Sequence, residues 1–232
     1  MKQTHTNLFD QKKAEQYDII ARKAVFAYDQ LFVMITAQIQ NYVSETASVL
    51  VVGCGTGTEL VTFAETNPSW RVTGIDPSEE MIWISRRKIE HAKLTNRVSI
   101  YQGFIDNMPE DKLFDAATLI YVIRFIADDY GKLLLLTNIA KRLKPGAPII
   151  IVDQCGDRQD PLYQTQLLSW KQYMMNQGLS PELAETIIIQ SAEKSLVTEN
   201  KIHNLLQEAG FNSIYNFYNV FIHAGWIAYK NT

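Results

Sequence analysis

Cysteine is nearly absent. Of 232 residues only Cys54 and Cys155 carry a thiol, and neither sits in a spacing that would ligate zinc or build a disulfide framework. No metal site is therefore expected, and a reducing cytoplasm fits. An excess of basic charge is missing too. The formal net charge is -3, and without clustered Lys and Arg to neutralise phosphates, nucleic acid is disfavoured as a partner. No apolar run approaches the roughly 20 residues that cross a bilayer. Met1 to Asp10 lack the apolar centre of a secretory signal, so no membrane association is expected. Internal repeats, low-complexity tracts and flexible linkers are also absent. What is there, 47% hydrophobic and 20% charged, suffices to bury one sizeable core.

The pattern along the chain is an alternation. Residues 9–43 have helix-favouring composition and predict one or two amphipathic helices. Val49 to Val52 is a short apolar run ending in glycines, which reads as a buried strand entering a tight turn, with a helix from about Glu59 to Glu65. Trp70 to Ile75 reads as a strand, Pro77-Ser78 opens a helix to Ala92, and Arg97 to Gln102 is a third strand. Ala116 to Ile120 precedes a helix from Asp128 to Leu143, which Lys144-Pro145-Gly146 stops before a fifth strand from Pro148 to Asp153. Such alternation predicts a parallel sheet covered by helices. Residues 160–209 contain helical patterns broken at Gly178 to Pro181 and near Val197-Thr198. Two aromatic-rich strands then close the chain, Ser213 to Tyr218 and Phe221 to Tyr229. The expected organisation is an N-terminal helical segment at 1–43, a nucleotide-binding core at 44–156, a helical cap at 157–209 and a closing strand pair at 210–232.

Gly53-Cys54-Gly55-Thr56-Gly57 follows the first strand, and a loop this rich in glycine lets the backbone approach a nucleotide where a Cβ would collide. Asp76 ends the second strand about 20 residues on, where a carboxylate can accept hydrogen bonds from both hydroxyls of a ribose. Its alternative role is to cap the next helix, which Ser78 or Glu79 could also do. Dinucleotide sites favour a glycine three residues after the second one; this chain has Thr58 there, which turns the reading from a nicotinamide cofactor towards S-adenosylmethionine (SAM).

Residues 49–57, 71–81, 97–109, 114–126 and 140–152 resemble the successive motifs of class I SAM-dependent methyltransferases. The tail, from Trp170-Lys171-Gln172-Tyr173 to Ala209-Gly210-Phe211, further resembles the carboxy-SAM synthase branch, whose modified cofactor serves tRNA uridine modification, and its small-molecule methyltransferase relatives. The resemblance implies an α/β, Rossmann-like sheet of seven strands in the order 3-2-1-4-5-7-6 with the last strand antiparallel. It implies that Gly53, Cys54, Gly55 and Gly57 line the methionine side of SAM, that Asp76 holds the ribose, and that Pro77 to Met81 flank the adenosine. Gly103, Phe104 and Ile105 would border the adenine and Tyr121 would face the sulfonium. Two departures stand out: Val51 where the first strand usually has an acid, and Phe104 where an acid usually follows Gly103, leaving Asp106 as the nearest one. The product would be S-adenosylhomocysteine, and a homodimer through the cap is consistent with the branch.

SAM brings its own electrophile, so the protein need mainly hold a nucleophile in line with it. Tyr121, Arg124 and Asp153 lie at the carboxyl ends of strands four and five, the edge where doubly wound folds place ligands. Arg124 interrupts an apolar run and could anchor an acidic substrate; the alternative is an ion pair with Asp128 or Asp129. Tyr121, Arg124 and His203 are the candidate catalytic residues, with His223 a second histidine able to act as base. Tyr17 is a candidate for the cofactor, and Tyr28, Arg124, Asp153, Trp170 and Tyr173 for the substrate. The expected function is methyl transfer to a small molecule. Alternatives are a carboxy-SAM synthase, against which Met174-Met175-Asn176-Gln177 lacks an Arg seen in the branch, a non-catalytic SAM-binding regulatory module, and a nicotinamide oxidoreductase.

Overall fold

A computed structural model describes residues 11–109 and 112–232. Helices α1 (Gln11–Ala24) and α2 (Tyr28–Gln40) are separated at Ala27, which takes the left-handed φ of 52°. Then follow β1 (Ser48–Val52), α3 (Thr58–Thr66), β2 (Arg71–Asp76), α4 (Glu79–His91), β3 (Val98–Gln102), β4 (Ala116–Ile120), α5 (Asp129–Lys141) and β5 (Pro148–Gln154). The chain continues through α6 (Pro161–Asn176), α7 (Pro181–Ala192), α8 (Glu199–Glu208), β6 (Phe211–Val220) and β7 (His223–Lys230). Polar side chains cap the helices where the sequence changes rhythm: Ser78, Asp128, Asp160, Ser180 and Thr198 each accept a backbone N–H of the first turn.

The sheet order is β3-β2-β1-β4-β5-β7-β6, with β7 antiparallel to its neighbours and β1 to β5 parallel, as the resemblance implied. Central strands are apolar on both faces because both are covered. Val49 and Val51 face one cluster with Leu31, Ile35, Leu60 and Phe63 of α2 and α3; Leu50 and Val52 face the other, with Leu136 and Ile139 of α5. The order reverses between β1 and β4, so the crevice at their carboxyl ends is where this topology can seat a ligand.

The stretch expected as one helical cap divides between two places. Trp170, Met174 and Ala184 of α6 and α7 gather with Ala24, at the end of α1, and Ile222 into a third apolar cluster. By contrast Ile202, Leu205 and Leu206 of α8 pack against the sheet on the α5 side. The closing hairpin also differs from expectation: Val220 pairs with His223, so Phe221 and Ile222 form a two-residue turn, with Phe221 at φ 55°, instead of beginning the last strand. Such turns normally announce themselves with Asn or Gly, and here two apolar residues hide one.

Candidate cofactor and active site

The loop after β1 is pinned to β2. The N–H groups of Gly53 and Cys54 donate to the Ile75 carbonyl at 2.8 and 3.1 Å, and the Gly55 N–H donates to Asp76 Oδ2 at 2.9 Å. Asp76 Oδ1 accepts the Ser78 N–H at 2.9 Å. Burial pushes the Asp76 pKa up and these two backbone donors pull it back. Ser78, not Asp76, caps α4, because its hydroxyl accepts the Met81 N–H at 3.3 Å. Each Asp76 oxygen thus keeps a lone pair for a further donor. Two glycines have distinct reasons. At Gly57, with φ 80°, a Cβ would come 2.3 Å from Ser85 Oγ, so close packing of the loop on α4 requires glycine. At Gly55, with φ 50°, a Cβ would meet nothing within 4 Å, and the face of the loop is open.

Helix α1 lies over this loop and is latched to it. Asp18 accepts from the Thr56 hydroxyl at 2.6 Å and the Thr58 hydroxyl at 3.3 Å. Lys88 of α4 closes the group, pairing with Asp18 and donating to the same two hydroxyls at 3.0 and 2.9 Å. Burial lowers the Lys88 pKa and Asp18 partly restores it. The latch brings Tyr17 to the crevice, where a cavity of about 40 Å³ is lined by Tyr17, Tyr28, Phe32, Glu59, Ile120 and Tyr121 together with the glycine loop. Tyr17 is within electrostatic reach of Arg124, Asp76 and Asp153, and burial raises its pKa.

Tyr121 directly follows β4 in the left-handed region, φ 57°, a conformation that costs a non-glycine residue on the order of 1 kcal/mol and turns the side chain into the crevice edge. Its hydroxyl lies 3.0 Å from His223 Nδ1. His223 sits at the start of β7, opposite Gln154 of β5, and only 2% of it is exposed. Burial, and then the nearby Arg124 charge, push its pKa down to about 3, so the imidazole is neutral at physiological pH. Burial holds the Tyr121 hydroxyl well above its ordinary pKa. Arg124 stands 5.0 Å from the Tyr121 ring centre. Its partner is Asp153, not Asp128 or Asp129: the Arg124 backbone N–H donates to Asp153 Oδ2 at 3.2 Å, and Nε lies 3.7 Å from Oδ1, beyond a hydrogen bond. That Nε is buried with no hydrogen-bond partner among the described residues.

The structure thus brings Gly53 to Gly57, Asp76, Tyr17, Tyr28, Tyr121, Arg124 and Asp153 to one edge. Met81 and Ile105 are buried nearby, Pro77 and Phe104 are exposed, and the Gly103 N–H donates to the Asp76 carbonyl at 2.9 Å. Asp106 is engaged elsewhere, accepting from Asn138 at 2.7 Å. Trp170 is buried, its ring 4.8 Å from His223 and its Nε1 donating to the Ala24 carbonyl at 2.7 Å, while Tyr173 packs on Phe26 and Phe221 further out. His203 is not brought to this edge; it lies half-buried on α8, which packs against α5 and β6. Cys54 is buried and its thiol pKa is pushed well up, which makes it inert. Asp18, Lys88, Phe32 and Glu59 escaped the sequence reading. A lone charged residue on an amphipathic helix carries no mark of what it meets across 70 positions.

Residues 43–210 match the methyltransferase domain family, well over half of the chain. Among curated relatives, the chain is 25% identical over 184 residues to the demethylmenaquinone methyltransferase of Lactiplantibacillus plantarum, covering 76% of this chain and 75% of that protein. It is 23% identical over 226 residues to the carboxy-S-adenosyl-L-methionine synthase of Campylobacter lari, covering 96% and 94%. Among solved structures, a SAM-dependent methyltransferase from Aquifex aeolicus superposes with a TM-score of 0.63 at 19% identity over 95% of this chain and 98% of that one. Human N-acetylserotonin methyltransferase in complex with SAM superposes with a TM-score of 0.62 at 21% identity, over 96% of this chain and 57% of that longer one. These likenesses establish a shared Rossmann-like fold, and the family match carries the identity: the chain belongs to the methyltransferase domain family and is a SAM-dependent enzyme.

Proposed function

We propose that the chain transfers the methyl group of SAM to a small acidic acceptor held at the edge formed by Tyr121 and Arg124. The residues of the crevice fit the cofactor. Asp76 has lone pairs left for two ribose hydroxyls, Gly55 faces open space, and Gly103 and Phe104 stand beside Asp76 where a base would lie. When bound, SAM supplies a methyl on a sulfonium whose leaving group is a neutral thioether. Neither Tyr121, with its raised pKa, nor neutral His223 is poised as a strong base near neutrality, which suits an acceptor that is already anionic. The observation that carries the acidic acceptor is the Arg124 guanidinium beside Tyr121, whose buried Nε–H has Asp153 as an ion-pair partner at 3.7 Å but makes no hydrogen bond to any described residue. Tyr17 and Tyr28 would close the site from the N-terminal helices, and Trp170 and Tyr173 would shape its cap side. The proposed catalytic set keeps Tyr121 and Arg124, with neutral His223 positioning the Tyr121 hydroxyl instead of acting as a base, and leaves out His203, which is half-buried on α8.

The cytoplasmic setting and a dimer through the cap belong to the same proposal. They are supported by two thiols outside any disulfide and by the exposed Leu162, Leu168 and Ile189 on α6 and α7. A test follows release of S-adenosylhomocysteine from methyl-labelled SAM in the presence of small carboxylic and other acidic metabolites. Turnover is expected, and Arg124→Gln should abolish it while leaving S-adenosylhomocysteine binding intact. Turnover confined to uncharged acceptors, or retained in Arg124→Gln, would overturn the acidic-acceptor reading.

Arg124 also favours a second reading. A carboxylate carried on the cofactor sulfur, as the name of the Campylobacter lari relative describes, would meet the same guanidinium. A mass spectrum of the cofactor that purifies with the protein separates the two, because a carboxylated cofactor would be heavier than SAM.

A further inference from the structure

Glu59 is a charged residue on the wrong face of its helix. It belongs to the first turn of α3, beside Leu60 and Phe63 on the side that packs on the sheet, and only 5% of it is exposed. Its Oε1 is buried and has no hydrogen-bond partner among the described residues. The Thr118 hydroxyl on β4 stands close enough to lower the Glu59 pKa, but it leaves Oε1 without a hydrogen bond among the described residues. β1 offers no acid of its own there, since Val51 is the register partner of Thr118. Glu59 lines the same cavity as Gly53, Cys54, Gly55 and Tyr121. A buried carboxylate that lacks donors either holds a proton or takes a cation that can donate hydrogen bonds.

SAM carries two cationic groups, the sulfonium and the α-ammonium, and only the ammonium has N–H donors to satisfy an orphaned carboxylate oxygen. We infer that Glu59 is the residue that receives the α-ammonium of the methionine moiety of SAM, from the first turn of α3. The inference rests on SAM dependence and not on the proposed acceptor. Burial raises the Glu59 pKa to about 7 in the free protein. The ammonium would stabilise the ionised form, so binding below pH 7 moves one proton from the Glu59 carboxyl to buffer and leaves a carboxylate against an ammonium. The groups facing Glu59, Tyr28 from α2 and Cys54 from the loop, have raised pKa values and stay protonated through this range.

The test is calorimetric titration of the intact protein with two probes: S-adenosylhomocysteine, and 5′-methylthioadenosine, which keeps adenosine and sulfur but lacks the amino-acid group. Glu59→Gln should weaken S-adenosylhomocysteine about 10- to 100-fold, the worth of a hydrogen bond to a charged group, and change 5′-methylthioadenosine less than about twofold. At pH 6, titrations in buffers of different ionisation heat should show most of one proton released with S-adenosylhomocysteine, and none attributable to this step in Glu59→Gln. Equal weakening of both probes overturns the inference, as does unchanged S-adenosylhomocysteine affinity. If Glu59→Gln failed to fold, the absence of proton release in the native protein would overturn it alone. If native protein binds neither probe, it is SAM dependence itself that fails, not the role of Glu59.

Discussion

Asp18→Ala tests whether the N-terminal helix is part of the cofactor site or merely rests on it. The substitution removes the ion pair to Lys88 and the acceptor of the Thr56 hydroxyl bond at 2.6 Å. A hydrogen bond to a charged group is worth about 1.5–3 kcal/mol, but the Asp18 and Lys88 side chains are 17% and 30% exposed and Lys88 keeps both threonine hydroxyls as partners. The loss should therefore be about 2 kcal/mol. For a chain of this size that lowers Tm by roughly 4–8 °C. Because the latch holds both α1 and the glycine loop, the same loss should raise the Kd for S-adenosylhomocysteine, by at most about 30-fold if the whole energy goes into undocking. Differential scanning fluorimetry and calorimetry read both quantities, and a cycle with Lys88→Met should show a coupling of about 1 kcal/mol. A Tm within 1 °C of the native value, an unchanged Kd and strict additivity with Lys88→Met would refute the latch.

Two further outcomes follow from the buried contacts. Trp170→Phe deletes the indole donor to the Ala24 carbonyl and leaves that buried acceptor unpaired beside a smaller ring, so urea denaturation should show a loss of about 2–4 kcal/mol. His223 has a folded pKa near 3 against an ordinary 6.5, so the unfolded chain takes up a proton between those values that the folded chain refuses. Its contribution to stability is complete above pH 6.5 and falls as the pH drops, by roughly 2–3 kcal/mol at pH 4.5. Urea midpoints at pH 7 and 4.5 should show His223→Asn losing correspondingly less than the native protein.

Much of the fold was legible because its signals are local. The apolar run Val49 to Val52, the glycines after it and Asp76 at the end of the next strand lie within one βαβ unit, and that unit is where the structure places the crevice. The Lys144-Pro145-Gly146 stop and the Ser180-Pro181 helix start are likewise local chemistry, and both stand where the periodicity put them. What stayed hidden depends on pairing across the chain. His223 reaches Tyr121 only because β7 inserts beside β5 in a register that sets it opposite Gln154, and nothing near His223 distinguishes it from His203 on its amphipathic helix. Lys88 meets Asp18, and Glu59 meets Thr118, through helix packing over the sheet. In the hairpin, Phe221 and Ile222 turn the chain with residues that read as strand.

The Gly53–Gly57 loop and Asp76 are proposed to hold SAM. This is tested most directly by titrating S-adenosylhomocysteine into native protein and into Asp76→Ala under identical conditions. A single saturable site is expected in the native protein and a loss of at least about 100-fold in the variant, as two hydrogen bonds from ribose hydroxyls to a carboxylate disappear. No saturable binding in the native protein, or an Asp76→Ala variant that binds as tightly, would contradict it.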